Sequence, residues 1–129
     1  MIFNNKFKRN LKLEKNIAEI LKEHSLVISV AESCTGGLLS SRLTDISGSS
    51  EYIRVNFVTY SNESKKALLD VKDETLRIYG AVSEQCAREM SEGLYRKTKA
   101  DIAISTTGLA GPTGATETKP IGLMYVGIT

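Results

Sequence analysis

Histidine is almost missing from this sequence, and tryptophan is missing altogether. The one histidine, His24, falls at a predicted helix end ahead of the first predicted strand. That position argues against a Ser-His-Asp triad and leaves no ligand set for zinc, so no metal site is expected. Cysteine is scarce too. Cys34 and Cys86 stand far apart with no metal-ligand spacing, and both read as free thiols of a reducing compartment. No apolar run approaches the length that spans a bilayer. The first ten residues, MIFNNKFKRN, lack the apolar segment and cleavage site of a secretory signal. A cytoplasmic chain with no membrane partner is the default. An excess charge of one sign is also lacking: the formal net charge is +2. The basic residues Lys6, Lys8, Arg9, Lys12 and Lys15 gather at the start without interleaved aromatics for base stacking, so residues 1–12 read as a solvated tail and nucleic acid is not an expected partner.

What remains is the composition of an ordinary globular domain, 41% apolar and 25% charged over 129 residues, enough for one hydrophobic core. Leu13, Ile17, Ile20 and Leu21 recur at helical spacing and predict a helix from Leu13 to about His24. Leu26 to Ala31 is short and nearly all apolar, as in a strand covered on both faces. Leu38, Leu39, Leu43 and Ile46 form a second helical stripe, with Thr35 as its expected N-cap. A strand from Val55 to Tyr60 leads through Ser61-Asn62 into a helix that carries Lys65. A short helix from Asp73 to Tyr79 stops at Gly80, and Ser83 caps a longer one. Ile102 to Ser105 and Ile121 to Ile128 complete the strands. The alternation predicts a three-layer α/β/α sandwich with a mainly parallel sheet, formed by residues 13–129. In such sheets ligands bind beyond the carboxyl ends of the strands. The segments AESCTGG, VTYSNESK and STTGLAGPTG each follow a predicted strand and so should surround one crevice. The chain stops at Thr129 in or just after an apolar strand, which suggests a shortened domain or one completed by a partner.

Ser33, Cys34, Ser49, Ser50, Thr106 and Thr107 are all candidate nucleophiles. Without histidine, the base that a serine needs has to come from Lys65, Tyr60 or Glu32. Lys65 follows Tyr60 by five residues across a strand-to-helix turn, so both can face one pocket, and burial would let a lysine serve as a base. Gly108, Gly111 and Gly114 recur every three residues with Lys119 behind them. Their backbone N–H groups suit an anion-binding nest, though the spacing matches neither a Walker loop nor G-x-G-x-x-G. Gly36-Gly37 at a helix start is a second possible anion site. These residues suit hydrolysis of a small phosphorylated compound.

The segments AESCTGG, SGSS, VTYSNESK and TTGLAGPTGATETKPIG, with GAVSE between them, resemble the C-terminal domain of CinA, the nicotinamide-nucleotide amidase family. The resemblance covers Leu13 to Thr129. It implies an α/β/α sandwich, often dimeric, that hydrolyses nicotinamide mononucleotide (NMN) to nicotinate mononucleotide and ammonia without metal or organic cofactor. Carried over, it puts Ser50 as nucleophile with Lys65 and Tyr60 shuttling its proton, and Ser33 as a further catalytic residue. Thr107 would polarise the carbonyl. Glu32, Thr35, Gly36, Gly37, Asn62, Gly108, Gly111, Gly114 and Lys119 would bind substrate, with Gly36 and Gly37 kept small to admit it. The sequence departs from the family pattern at Ala115 and at Val55-Asn56, where glycines are usual. The family pattern also runs on past this point into a further strand, a Gly-Asp-Arg segment and a helix. A non-catalytic nucleotide-binding domain of a competence- or damage-inducible protein is therefore the alternative.

Overall fold

The computed structural model describes residues 11–129. The expected basic tail falls outside these residues except for Leu11 and Lys12, and Lys12 opens the first helix. The order is α1 (Lys12–Glu23), β1 (Ile28–Glu32), α2 (Leu38–Thr44), a 3-10 turn (Ser49–Glu51), β2 (Ile53–Val58), α3 (Asn62–Leu69), α4 (Asp73–Ile78), α5 (Glu84–Thr98), β3 (Ile102–Gly108) and β4 (Met124–Ile128). The strands lie side by side as β2-β1-β3-β4. The first three are parallel, and β4 returns antiparallel to β3.

This order explains the layers. The chain leaves β1 in one direction to reach β2 and comes back across β1 to reach β3. Right-handed crossovers in opposite directions put their helices on opposite faces of the sheet. On one face Ile28 and Val30 of β1 pack with Ala18, Leu21, Leu43 and Tyr52. On the other, Ala31 and Ala103 pack with Leu69, Val71, Cys86, Met90 and Leu94. All five residues of β1 are buried, as its unbroken apolar run required. The α/β architecture with a mainly parallel sheet is that read from the sequence.

Element boundaries differ in ways that matter for the site. β1 starts at Ile28 and runs through Glu32, so the strand delivers a carboxylate into the interior. β3 continues to Gly108 rather than stopping at Ser105, which turns Thr106 and Thr107 into buried strand residues. β4 begins at Met124. Ser61 and Ser83 do cap α3 and α5, their side chains accepting from the N–H groups of Ser64 and Cys86.

The α3–α5 contact is unusually close. A Cβ on Gly93 of α5 would sit 1.8 Å from the Leu69 carbonyl oxygen. Gly93→Ala should therefore destabilise the fold, although alanine gains about 1 kcal/mol in helix propensity. We expect overpacking to cost about 1–3 kcal/mol beyond that gain, read as a lower urea midpoint. An unchanged or higher midpoint would contradict this packing.

Candidate active site

The carboxyl ends of β1 and β3 meet where the chain reverses its direction across the sheet, the place where open α/β sheets bind ligands. Glu32 is the last residue of β1 and is fully buried. Its carboxylate accepts from Thr35 Oγ1 (2.5 Å), Gly37 N (3.2 Å), Leu39 N (2.9 Å), Ser40 N (2.7 Å) and Ser40 Oγ (2.6 Å). Burial works to raise its pKa, but the bonds from Ser40, Thr35 and Leu39 outweigh it and hold the carboxyl below its ordinary value. Both Glu32 oxygens are thus engaged by the chain that follows, and Glu32 is not among the residues lining the pocket described below. It satisfies the first amides of α2, whose N-cap is Gly37 rather than Thr35.

Gly36 and Gly37 have φ of +60° and +101°, a path that lays α2 over Glu32 and that side-chain-bearing residues rarely follow. Neither lines the pocket described below. They turn the chain; they do not make room for a ligand. Thr35 Oγ1 is likewise engaged, with Glu32 and with Thr106 Oγ1 at 2.8 Å.

Beyond this anchor lies a pocket of about 360 Å³ lined by Ser33, Cys34, Tyr60, Asn62, Lys65, Ala81, Val82, Thr107, Gly108, Leu109, Ala110, Gly111 and Thr113. Ser33 projects from the turn after β1. Lys65 reaches it from the second turn of α3 and is only 1% exposed. Its Nζ lies 3.0 Å from Ser33 Oγ, 2.9 Å from the Thr59 carbonyl oxygen and 3.2 Å from that of Tyr60. Burial lowers the Lys65 pKa from the ordinary lysine value, with the negative charge that Cys86, Cys34 and Glu63 can carry opposing it. Nζ donates to the two carbonyl oxygens and turns its third position to Ser33 Oγ, a proton in the ammonium and a lone pair in the neutral amine that burial favours. A serine hydroxyl and a buried amine thus lie in hydrogen-bond reach of each other, the geometry that an activated nucleophile requires.

The cysteines do not compete for that role. Burial raises the thiol of Cys34 and pushes that of Cys86 up to about 11, so neither is a ready thiolate near neutral pH.

The remaining predicted residues divide. Tyr60, 75% exposed, and Asn62 stand on the wall contributed by the β2–α3 turn, with Gly108 and Gly111 across from them. Thr107 lines the pocket, but its hydroxyl donates to the Ala81 carbonyl oxygen (2.7 Å), so it braces the GAVSE segment rather than polarising a substrate. Gly114 is outside the lining. So is Lys119, whose Nζ donates to the Tyr79 carbonyl oxygen (2.9 Å).

Ser50 is not brought to this pocket at all. It belongs to the 3-10 turn that precedes β2, at the amino end of a strand whose carboxyl end leads to Tyr60. The six residues of β2 separate the two ends by roughly 20 Å at about 3.3 Å per residue. The predicted Ser50–Lys65 pairing is replaced by Ser33–Lys65. One signal was available in the sequence: SGSS precedes a strand, whereas AESCTGG follows one. Among the described residues no group of three His, Cys, Asp or Glu side chains is arranged to hold a metal, and no helix is long and apolar enough to cross a membrane.

We expect Glu32→Gln to weaken the fold at pH 7 by about 1.5–3 kcal/mol, the scale of hydrogen bonds to a charged group. Because the folded pKa is depressed, that contribution is present above the unfolded carboxylate value and is lost as pH falls through the folded one. Urea midpoints of the two proteins should therefore converge in strong acid. A gap that stayed constant with pH would show that charge at Glu32 is not what stabilises the turn.

The same geometry can be set beside known proteins. The family described as CinA C-terminal domain matches residues 10–129. A CinA-like protein of Chloroherpeton thalassium is 56% identical over 119 residues, which is 92% of this chain and 28% of that protein. The competence/damage inducible protein CihA of Agrobacterium tumefaciens has a crystal structure that superposes with a TM-score of 0.89 at 40% identity, covering 98% of this chain and 75% of that one. For the competence damage-inducible protein A (ComA) of Klebsiella pneumoniae the TM-score is 0.88 at 36% identity, covering 92% of this chain and 73% of that one. The chain spans under a third of the length of the sequence relative and about three quarters of each of these crystallised chains.

Proposed function

Since this chain belongs to the CinA C-terminal domain family, that of the competence- and damage-inducible proteins, we propose that its pocket is the active site of an amidohydrolase converting NMN to nicotinate mononucleotide and ammonia. The observation that carries the reading is the buried contact between Lys65 Nζ and Ser33 Oγ at 3.0 Å. Neutral Lys65 takes the hydroxyl proton as Ser33 Oγ adds to the carboxamide carbon. The lysine then delivers that proton to the departing nitrogen, and ammonia leaves an acyl-serine. Water, deprotonated by the same amine, hydrolyses the ester, and Ser33 regains its proton. No metal or organic cofactor takes part. The backbone N–H groups of Ala110 and Gly111 supply the contacts for the ribose phosphate, because the Leu109 N–H donates to Leu123 O, Lys119 is held elsewhere and Lys65 is occupied by the chemistry.

The thiols support serine as nucleophile, for both are held protonated by burial. The burial of Nζ, which lowers the Lys65 pKa, and its contact with Ser33 Oγ support its role as base. Removing either member of such a pair should remove most of the turnover, and removing both should cost little more than removing one.

Ammonia release from NMN is the test. Ser33→Ala and Lys65→Met should each lower kcat by about 10³-fold or more while leaving the far-ultraviolet dichroism unchanged. Ser50→Ala should keep wild-type turnover. Release that survives Ser33→Ala, or that disappears in Ser50→Ala, would overturn the assignment.

The buried base also sets a pH profile. Turnover needs uncharged Lys65, so kcat should rise with pH through an apparent pKa clearly below the ordinary lysine value of about 10.4. A profile that turns only at or above that value would mean that the amine is solvated during catalysis.

A further inference from the structure

If Ser33 attacks an amide, the developing negative oxygen needs donors, and the side chains nearest to hand are taken. Thr107 Oγ1 is spent on Ala81 O, Thr35 Oγ1 on Glu32 and Thr106, and Lys65 Nζ on two carbonyls and Ser33 itself. The backbone answers the question differently.

Between Ser33 and Ser40 nearly every amide has an acceptor. Ser33 N donates to Thr106 O (3.0 Å), Gly36 N to Ser33 O (3.1 Å) and Leu38 N to Thr35 O (3.0 Å). Gly37, Leu39 and Ser40 donate to the Glu32 carboxylate. Only the N–H groups of Cys34 and Thr35 have no acceptor beyond their own residue among the described residues, that of Cys34 lying against its own thiol. They belong to the two central residues of the Ser33–Gly36 turn, whose closing bond leaves both donors open. Glu32 takes up the amides that follow, so these two alone remain for a ligand.

We propose that the Cys34 N–H is the oxyanion donor of this active site, presented by the tight turn Ser33–Gly36. This rests on the amidohydrolase reading above. Cys34 directly follows the attacking serine and lines the same pocket. An amide in that position can reach the oxygen of a carbonyl bonded to the preceding side chain, the arrangement used wherever a serine is set on a sharp turn after a strand. The turn is held in place from both sides. The Gly36 N to Ser33 O bond closes it, and the Glu32 carboxylate binds Thr35 Oγ1 and Gly37 N just beyond. The donor is therefore fixed before substrate arrives, so little reorganisation accompanies the charge. What the proposal asks of Cys34 is its N–H, which alanine keeps and proline lacks.

That contrast makes the test. Cys34 is the second residue of the turn, where proline is favoured, so Cys34→Pro removes the N–H with little strain on the turn itself. Cys34→Ala keeps it. The rate of ammonia release from NMN by Cys34→Ala, which keeps the donor, is the reference for the proline variant. Cys34→Pro should lose about 10²–10³ in kcat with a much smaller change in KM. Equal rates in the two variants would overturn the proposal.

A second measurement needs no proline variant and no turnover. 3-Pyridylboronic acid should add to Ser33 Oγ as a tetrahedral boronate, and the amide proton of Cys34 should then move downfield in the NMR spectrum of the wild-type protein. A boronate on Ser33 that leaves this proton unmoved would refute the oxyanion role while sparing the serine's. Absence of any adduct on Ser33, together with no ammonia from wild-type protein, would sink the amidohydrolase reading and this proposal with it.

Discussion

A single buried carboxylate holds the active end of this domain together. Glu32 ends the central strand where a side chain has no access to water, and an isolated charge there would be costly. It is retained because the first turn of α2 brings its amides and a serine hydroxyl to it, while Thr35 closes from the other side. The charge and the helix terminus satisfy each other. As a consequence the chain between them, Ser33 to Gly37, has little freedom left, and the position of the reactive serine follows from a bond network in which that serine takes no part.

Lys65 is buried too, and it is treated in the opposite way. Glu32 is kept charged by its donors, whereas Lys65 meets carbonyl oxygens and a hydroxyl, with no carboxylate in contact with Nζ. Burial then favours the uncharged amine. Glu32 lies at the end of β1 and Lys65 in the helix that follows the adjacent parallel strand, one held as an anion and the other driven toward the neutral amine. Environments that push two titratable groups apart in this way are a mark of catalytic sites, although structural networks produce such shifts too. The distinction here lies in geometry: the network around Glu32 is closed, and that around Lys65 opens onto a pocket through Ser33.

The comparisons and the chemistry speak to different levels. Similarity along nearly the whole chain assigns the family and the fold. The names of those relatives refer to competence and damage and give no reaction. The amidohydrolase proposal therefore depends on the Ser33–Lys65 contact, on the unready thiols and on the pocket around them. It is also confined to this domain, because the longer relatives carry a great deal of additional chain.

Much of the architecture was determined by the sequence alone. Apolar runs of strand length alternating with amphipathic helices allow few arrangements, and one rule about carboxyl ends was enough to place AESCTGG, VTYSNESK and the glycine-rich loop together. Ser83 was legible as a cap because capping is local, and the cap of α3 was narrowed to Ser61 or Asn62, of which Ser61 holds it. What the sequence left open was the job of each polar residue, since that depends on partners distant along the chain. Glu32 read as a substrate contact until α2 folded back over it, and Thr107 as a polariser until its hydroxyl was seen to donate to the Ala81 carbonyl oxygen. Lys65 could not be told from a solvated lysine until the Thr59 and Tyr60 carbonyls were seen around it. Between Ser33 and Ser50 only the tertiary structure decided, because local composition suits either serine while the direction of a parallel strand admits just one of them to the pocket.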